Sequence, residues 1–327
     1  MEFHLELEPR PLPSRIAHDH RIFLAGSCFT EHISAGLASY KFEILENPNG
    51  ILFNPFSIAR SLISYIENRR YTPGDLFYHN ELWSSWDHHS RFSGIEPESV
   101  LHQINASQDR AHTFLKEADW VMLTFGSAFV YQIGAGQVVA NCHKMPPQTF
   151  SRRLAGVEEI VSALDNLIHR LFLFNPKIRI IFTISPVRHL RDGFIENNRS
   201  KAVLITAVHQ LIDKFEKLFY FPAYELLIDD LRDYRFYAED MVHPNYLATD
   251  YVWKKFAAAC LEPSLIPFMK EMDIINRAMN HRAFNPDSNA HQKFLLQQIE
   301  KLNVLQSQYP WLDFANELKF FKQSLDS

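Results

Sequence analysis

Apolar positions along this chain follow two alternating patterns. Short unbroken runs occur at 21–25 (RIFLA), 120–125 (WVMLTF), 178–184 (IRIIFTI) and 225–228 (ELLI). Runs of that length, rich in β-branched and aromatic residues, predict buried strands. The stretches 156–174 and 199–218 instead carry apolar residues at helical spacing, which predicts amphipathic helices. Strand and helix in alternation predict a mostly parallel sheet with helices on both faces, an α/β fold of three layers, α/β/α. The first unit is a strand over 21–25, closed by Gly26 and followed by a helix that begins at Phe29 or Thr30.

Two stretches break the alternation. Residues 71–97 scatter aromatic and polar residues around Gly74, Asp75, Asn80 and Gly94, a pattern for a hairpin and irregular loops. A second hairpin is predicted from 129–131 and 137–140, turned by Gly134-Ala135-Gly136. A helix follows over 246–259. Beyond Cys260 strand-like runs stop, and 263–281 and 290–327 show helical periodicity joined by a loop at 283–288. The predicted organisation is an α/β domain over 1–262 and a helical C-terminal extension over 263–327, packed on the core.

Composition narrows the function classes. The chain has 327 residues, 46% of them hydrophobic, with 33 Lys and Arg against 38 Asp and Glu. The net charge of −5 is not gathered into long runs of one sign, which argues against nucleic acid and membrane surfaces as partners. No apolar run reaches the ~18 residues a membrane-spanning helix needs. The first fifteen residues, MEFHLELEPRPLPSR, lack the basic start and apolar stretch of a signal peptide. Cys28, Cys142 and Cys260 are odd in number and widely spaced, so neither a disulfide framework nor a metal knuckle is predicted. A cytoplasmic location is expected, and the oligomeric state stays open.

A polar residue directly after a buried strand of an open α/β sheet points into the ligand crevice. Ser27 occupies such a place; its competing role is the N-cap of the following helix. The stretch Asp240-Met241-Val242-His243-Pro244 stands before the helix over 246–259. Three residues apart across one turn, Asp240 can hold the Nδ1–H of His243 and leave Nε2 facing a nucleophile. Its competing role is plain loop structure. Cys28 is an alternative nucleophile if the helix start lowers its pKa. Asp87-His88-His89 and the neighbours Cys142 and His143 raise the thought of a metal, but their spacing does not match zinc patterns, so no metal and no cofactor is expected.

A strand-terminal serine near the start and an Asp-x-x-His before the last helix of the sheet share the layout of the SGNH/GDSL hydrolases. More narrowly, Gly26-Ser27-Cys28-Phe29-Thr30 resembles the signature of the GSCFA domain family, with threonine for the final alanine. Asn47 to Pro55 (NPNGILFNP), Thr124 to Ala128 (TFGSA), Asn141 to Lys144 (NCHK), Ser185 to Gly193 (SPVRHLRDG) and Leu231 to Tyr237 (LRDYRFY) are similar to further blocks of that family. The likeness runs from about residue 3 to 259 and weakly into the tail. It implies an SGNH-like, flavodoxin-like fold, with Ser27 as nucleophile, His243 as base and Asp240 as its partner. It further implies esterase or deacylase activity on a small-molecule or glycan ester. The same residues acting with a sugar hydroxyl as acceptor would make an O-acyltransferase, and loss of the chemistry would leave a binding module.

The resemblance also implies an oxyanion hole built from the Ser27 amide, a glycine amide best matched by Gly50, and an asparagine side chain. Here the sequence departs, because the block at Gly126-Ser127-Ala128-Phe129 has no asparagine at the matching place. Asn54, Asn141 and His143 are the candidate replacements; Asn54 before Pro55 also reads as a helix N-cap, and Asn141 as a turn residue. Gly126, His143, Arg188 and His189 complete the expected oxyanion and substrate-binding set, the cationic residues suiting a carboxylate or phosphate. The arginines of Leu231 to Tyr237 are expected to pair with Asp229, Asp230 or Asp233 and so hold the Asp240–His243 loop.

Overall fold

The computed structural model describes residues 4–325, with the side chain of Asp192 left out. Five strands form the main sheet: β1 (Arg21–Gly26), β2 (Glu43–Glu46), β3 (Trp120–Phe125), β4 (Arg179–Ile184) and β5 (Leu218–Phe221). Their spatial order is 2-1-3-4-5, with every neighbouring pair parallel. This is the flavodoxin-like doubly wound order, whose winding reverses between β1 and β3, and ligands of such sheets sit outside the strand ends at that reversal. Register places Gly26, Thr124 and Thr183 side by side at those ends.

Side chains alternate across the sheet. Phe23, Ala25, Val121, Leu123, Phe125, Ile180, Phe182 and Ile184 share one core with residues of α2 (Pro55–Ile66), α3 (Pro97–Glu117), α4 (Val157–Phe174) and α5 (Gly193–Lys214). The alternate set, with Ile22, Leu24, Trp120, Met122 and Ile181, is equally buried on the other face. There Phe221 meets Phe256 of α6 (Tyr246–Cys260) edge-on, with ring centroids 5.2 Å apart. Helix α1 (Phe29–Ser39) follows β1 after two residues, as expected. Both expected hairpins form: Leu76–His79 with Leu82–Ser85, and Phe129–Ile133 with Gln137–Val138, the latter joined by a third strand at Ser151–Leu154.

One strand is misplaced by the sequence reading. The run at 225–228 is helical, opening at Ala223–Glu225 and continuing as a π-turn over Leu226–Leu231. The last strand is the preceding Leu218–Phe221 (LFYF), and α5 stops at Lys214. Three apolar residues behind Glu225 suit a buried helical turn as well as a strand, whereas the aromatic trio Phe219-Tyr220-Phe221 ahead of Pro222 carries the stronger strand signal.

The chain clusters into two compact units, one running to Ala35 and then from Glu43 to Leu261, the other formed by Gly36–Phe42 with the chain from Glu262 onward. The second contains α7 (Ile266–Met279), α8 (Asn289–Gln308) and α9 (Ala315–Leu325). Within it the Tyr40 hydroxyl donates to Asp273 Oδ1 at 2.5 Å, and Asn276 Nδ2 donates to the Ser39 carbonyl at 3.2 Å. No helix among the described residues is long and apolar enough to cross a membrane.

Candidate active site

Ser27 leaves β1 at the reversal of winding. Its residue is fully buried, and its Oγ has no hydrogen-bond partner among the described residues. An N-cap hydroxyl would accept an amide of α1; the Thr30 N–H goes instead to the Ser27 carbonyl at 2.9 Å, so Ser27 does not cap the helix. The chain reaches this point through Gly26, whose φ of +147° only glycine adopts without strain, and whose N–H donates to Asn47 Oδ1 at 2.9 Å.

Asp240 and His243 stand on the loop between the 3-10 turn Tyr234–Phe236 and α6. The loop closes on itself: the Ala238 N–H donates to the His243 carbonyl at 2.7 Å and the Asn245 N–H to the Phe236 carbonyl at 2.9 Å. Asn245 also caps α6, accepting the Ala248 N–H at 3.1 Å. Met241, at the tip, takes a left-handed φ of +57°. This folds the Asp240 carboxylate back onto its own loop, where Oδ1 accepts the Val242 and His243 amides at 2.9 and 3.0 Å. Oδ2 lies 2.6 Å from His243 Nδ1. A carboxylate only accepts, so Nδ1 carries the proton and Nε2 is the free nitrogen. The same contacts, led by the His243 amide and ring, push the Asp240 carboxyl down to about 2. His243 forms no hydrogen bond to Ser27 Oγ. Burial, the larger cause, and the imidazolium form of His243 both lower the imidazoles of His32 of α1 and His189.

The loops around Ser27 are held from below by one helix. The buried stripe of α5, Leu204, Ala207, Val208 and Leu211, continues toward the N-terminus as Asn197, Ser200 and Lys201 at the same spacing. Asn197 Oδ1 accepts the His189 N–H at 2.9 Å, and Ser200 Oγ accepts the Ala128 N–H at 2.7 Å. Lys201 Nζ donates to the Gly126 and Ser185 carbonyls at 2.8 and 2.7 Å, joining the ends of β3 and β4. Sequence reasoning missed all three, although polar residues interrupting the apolar face of a helix were the available signal.

Burial brings the Lys201 amine down to about 7, with the neighbouring Cys28 acting weakly the other way. The folded value lies below the ordinary 10.5, so the unfolded chain binds more protons between those values and this group makes stability rise with pH through that window. Replacing Lys201 by methionine removes that slope. Melting curves of wild type against Lys201→Met at about pH 7 and 9 are expected to diverge in favour of wild type by on the order of 2 kcal/mol. Parallel curves would show that Lys201 does not titrate in the fold.

A cavity of about 470 Å³ opens beside this junction, lined among others by Phe53, Asn54, Ser127, Tyr131, Asn141, Arg188, His189 and Val242. A Cβ placed on Gly126 would stand 3.0 Å from His189 Nε2, 3.1 Å from Phe53 Cδ1 and 3.4 Å from Ser27 Cβ, so glycine lets these groups converge. His189 Nε2 is buried without a partner among the described residues. Burial, with the charges of Lys201 and His243, pushes this imidazole down to about 4, and it is neutral at pH 7. Arg188 ties the loop after β4 to the loop of Asp240: its N–H donates to the Val242 carbonyl at 3.2 Å and its Nη1 to the Met241 carbonyl at 3.3 Å.

Other expectations change. The Ser27, Gly50 and Gly126 amides donate to the carbonyls of Thr124 (3.0 Å), Asn47 (2.7 Å) and Phe53 (2.8 Å), so none is a free oxyanion donor here. Asn54 acts as the N-cap of α2, accepting the Ser57 N–H at 2.8 Å. Asn141 turns the chain by accepting the His143 N–H at 2.8 Å. His143 does not line the cavity; its Nε2 lies 2.9 Å from the Ser85 carbonyl and its ring packs edge-on against Phe77 and Trp86. Burial and Glu31 raise the Cys28 thiol instead of lowering it, which removes the reason for a thiolate nucleophile. Arg235 does pair with Asp233, but the contact that holds the loop of Asp240 comes from Arg188. Asp87 pairs with Arg60 at 2.9 Å, and His88 Nδ1 lies 3.0 Å from Ser85 Oγ.

Sheet order and layers define a flavodoxin-like, doubly wound α/β/α protein. The chain belongs to the GSCFA family: the family model matches residues 21–256, and that of the C-terminal domain of GSCFA domain proteins matches 272–327. No curated protein gives a significant match. Among solved structures the chain is similar to a carbohydrate esterase of family 3 from Talaromyces cellulolyticus, at 10% identity and a TM-score of 0.36, covering 77% of this chain and 99% of that one. It is also similar to an acetyl xylan esterase from the rumen bacterium Butyrivibrio proteoclasticus, at 11% identity and a TM-score of 0.39, covering 79% and 66%. A family 2 carbohydrate esterase with a carbohydrate-binding domain from Corynascus thermopiles is at 12% identity and 0.39, covering 76% and 68%. These overlaps are loose.

Proposed function

We propose that this chain is a serine hydrolase that cleaves a small-molecule or glycan ester through an acyl-enzyme. The observation that carries the reading is a buried serine hydroxyl that neither caps a helix nor bonds to protein, placed at the switch point of the sheet whose Asp240–His243 pair has its Nε2 free. In the reaction His243 Nε2 takes the proton of Ser27 Oγ as it attacks the ester carbonyl, and Asp240 holds the imidazole in the required tautomer. The alcohol leaves with that proton, and a water activated by the same nitrogen releases the acid. With the expected amides engaged, His189 supplies the oxyanion donor: its unpartnered Nε2 stands by Gly126 and Ser27, and a neutral imidazole donates from Nε2–H. Since Ser27 is buried and His243 does not reach its Oγ, acylation includes a local opening that brings His243 onto Oγ, in line with catalytic contacts that tighten only with substrate bound.

Purified protein treated with a fluorophosphonate is expected to carry the label on Ser27, found by mass spectrometry, and to lose it in Ser27→Ala and His243→Ala. A well-folded sample that takes no label would replace this reading by a ligand-binding protein without acyl chemistry.

A further inference from the structure

The cavity beside Ser27 carries a charge pattern opposite to that of the whole chain. The chain has a net charge of −5, yet the described residues lining the cavity include Arg188 and Arg191 and no aspartate or glutamate. The Arg191 guanidinium stands 5.8 Å from the ring centroid of Tyr131, and its charge is felt at the Cys142 thiol. Both neighbours line the cavity, so Arg191 faces it. No carboxylate pairs with Arg191 among the described residues. Arg188 donates Nη1 to Met241 and stacks 3.9 Å over Tyr237, which leaves N–H groups of its fork for another acceptor. Phe53 and Phe129 give the cavity an apolar wall.

Two cations that pair with no carboxylate among the described residues, next to aromatic rings, match an acceptor group with two or three oxygens attached to an apolar or ring-shaped body. We propose that the cavity binds the anionic part of the substrate, a carboxylate or phosphate held by Arg191 with Arg188, its body lying against Phe53, Phe129 and Tyr131. The ester half of this statement rests on the hydrolase reading; anion binding does not.

Two measurements on the full chain separate the two. In calorimetric titrations of Ser27→Ala at about 20 mM salt, benzoate or phenyl phosphate is expected to bind at least tenfold more tightly than benzyl alcohol, and the preference to shrink at about 0.5 M salt. Adding Arg191→Gln brings the ratio near one, and Arg191→Lys restores part of it. Tighter binding of phenyl phosphate assigns a phosphate, and tighter binding of benzoate a carboxylate. Benzyl alcohol binding as well as both anions, or a preference that survives Arg191→Gln, overturns the site. Turnover of 4-acetoxybenzoate against phenyl acetate is then compared in the Ser27 protein. Anion preference in binding without labelling or turnover keeps the site and removes the hydrolase, whereas turnover with no anion preference does the reverse.

Discussion

Asp240→Asn is expected to lower kcat for ester cleavage by about 10²–10⁴, with the fold intact. The asparagine oxygen can keep the two loop amides of Val242 and His243 that Asp240 Oδ1 now accepts, so the loop has little reason to move. What changes is the group facing His243 Nδ1, where a carboxylate oxygen at 2.6 Å becomes an amide NH₂. That donor favours the tautomer with the proton on Nε2, and the nitrogen meant to accept from Ser27 is blocked. Steady-state kinetics together with a melting curve decide the matter. Activity within tenfold of wild type would remove Asp240 from the mechanism, and a matching collapse in stability would make its role structural. The wild-type pH profile adds a check on sign. The folded-state value of Asp240, about 2, lies below the ordinary 3.8. Its contribution to stability is therefore complete above 3.8 and lost as pH falls from there toward 2. An activity loss above that window belongs to another group.

The largest stability effect is expected at Gly26→Ala, on the order of 4 kcal/mol or more, which lowers Tm by about 10 °C or prevents folding. A Cβ at Gly26 would stand 2.2 Å from the Thr124 carbonyl oxygen and 2.8 Å from the Thr124 nitrogen, both backbone atoms. Neither strand can yield, because Gly26 and Thr124 are register partners in the middle of the parallel sheet. The φ of +147° adds strain for any residue with a side chain. Gly134→Ala is the control: its φ of +49° is also positive, but nothing lies within 4 Å of the added carbon, so only about 1 kcal/mol is lost. Equal melting temperatures for the two variants would show that the close approach of β1 to β3 is not what selects glycine at 26.

Much of the fold was legible in local pattern. The runs at 21–25, 120–125 and 178–184 became β1, β3 and β4 because each is apolar on both faces, as a parallel strand covered on both sides must be. The run at 225–228 failed the same test because its three apolar residues do not distinguish a strand from a buried helical turn. Ser27, Asp240 and His243 were proposed from their position relative to those elements, and the Asp240–His243 contact is local enough for spacing alone to anticipate it. The competing cap reading of Ser27 was settled only by where its Oγ points.

The sequence by itself determined the three central strand runs, the Asp-x-x-His spacing and the glycine at 26, because these depend on neighbours a few residues apart. Only tertiary structure decided what surrounds Ser27. Whether the amides of Ser27 and Gly126 are free depends on carbonyls of Thr124 and Phe53 brought to them by folding, whereas the Gly50 amide donates within its own turn to Asn47. Asn54 and Asn141 close the local turns that the sequence already offered, whereas His143 turns to the distant Ser85. His189 comes to face Ser27 across Gly126. Lys201 and Arg188 gain their positions by reaching other loops, Lys201 the Gly126 and Ser185 carbonyls and Arg188 the loop of Asp240. Hydrogen bonds between residues far apart in sequence form once the strands are in register, and no periodicity along the chain encodes which donor will meet which carbonyl.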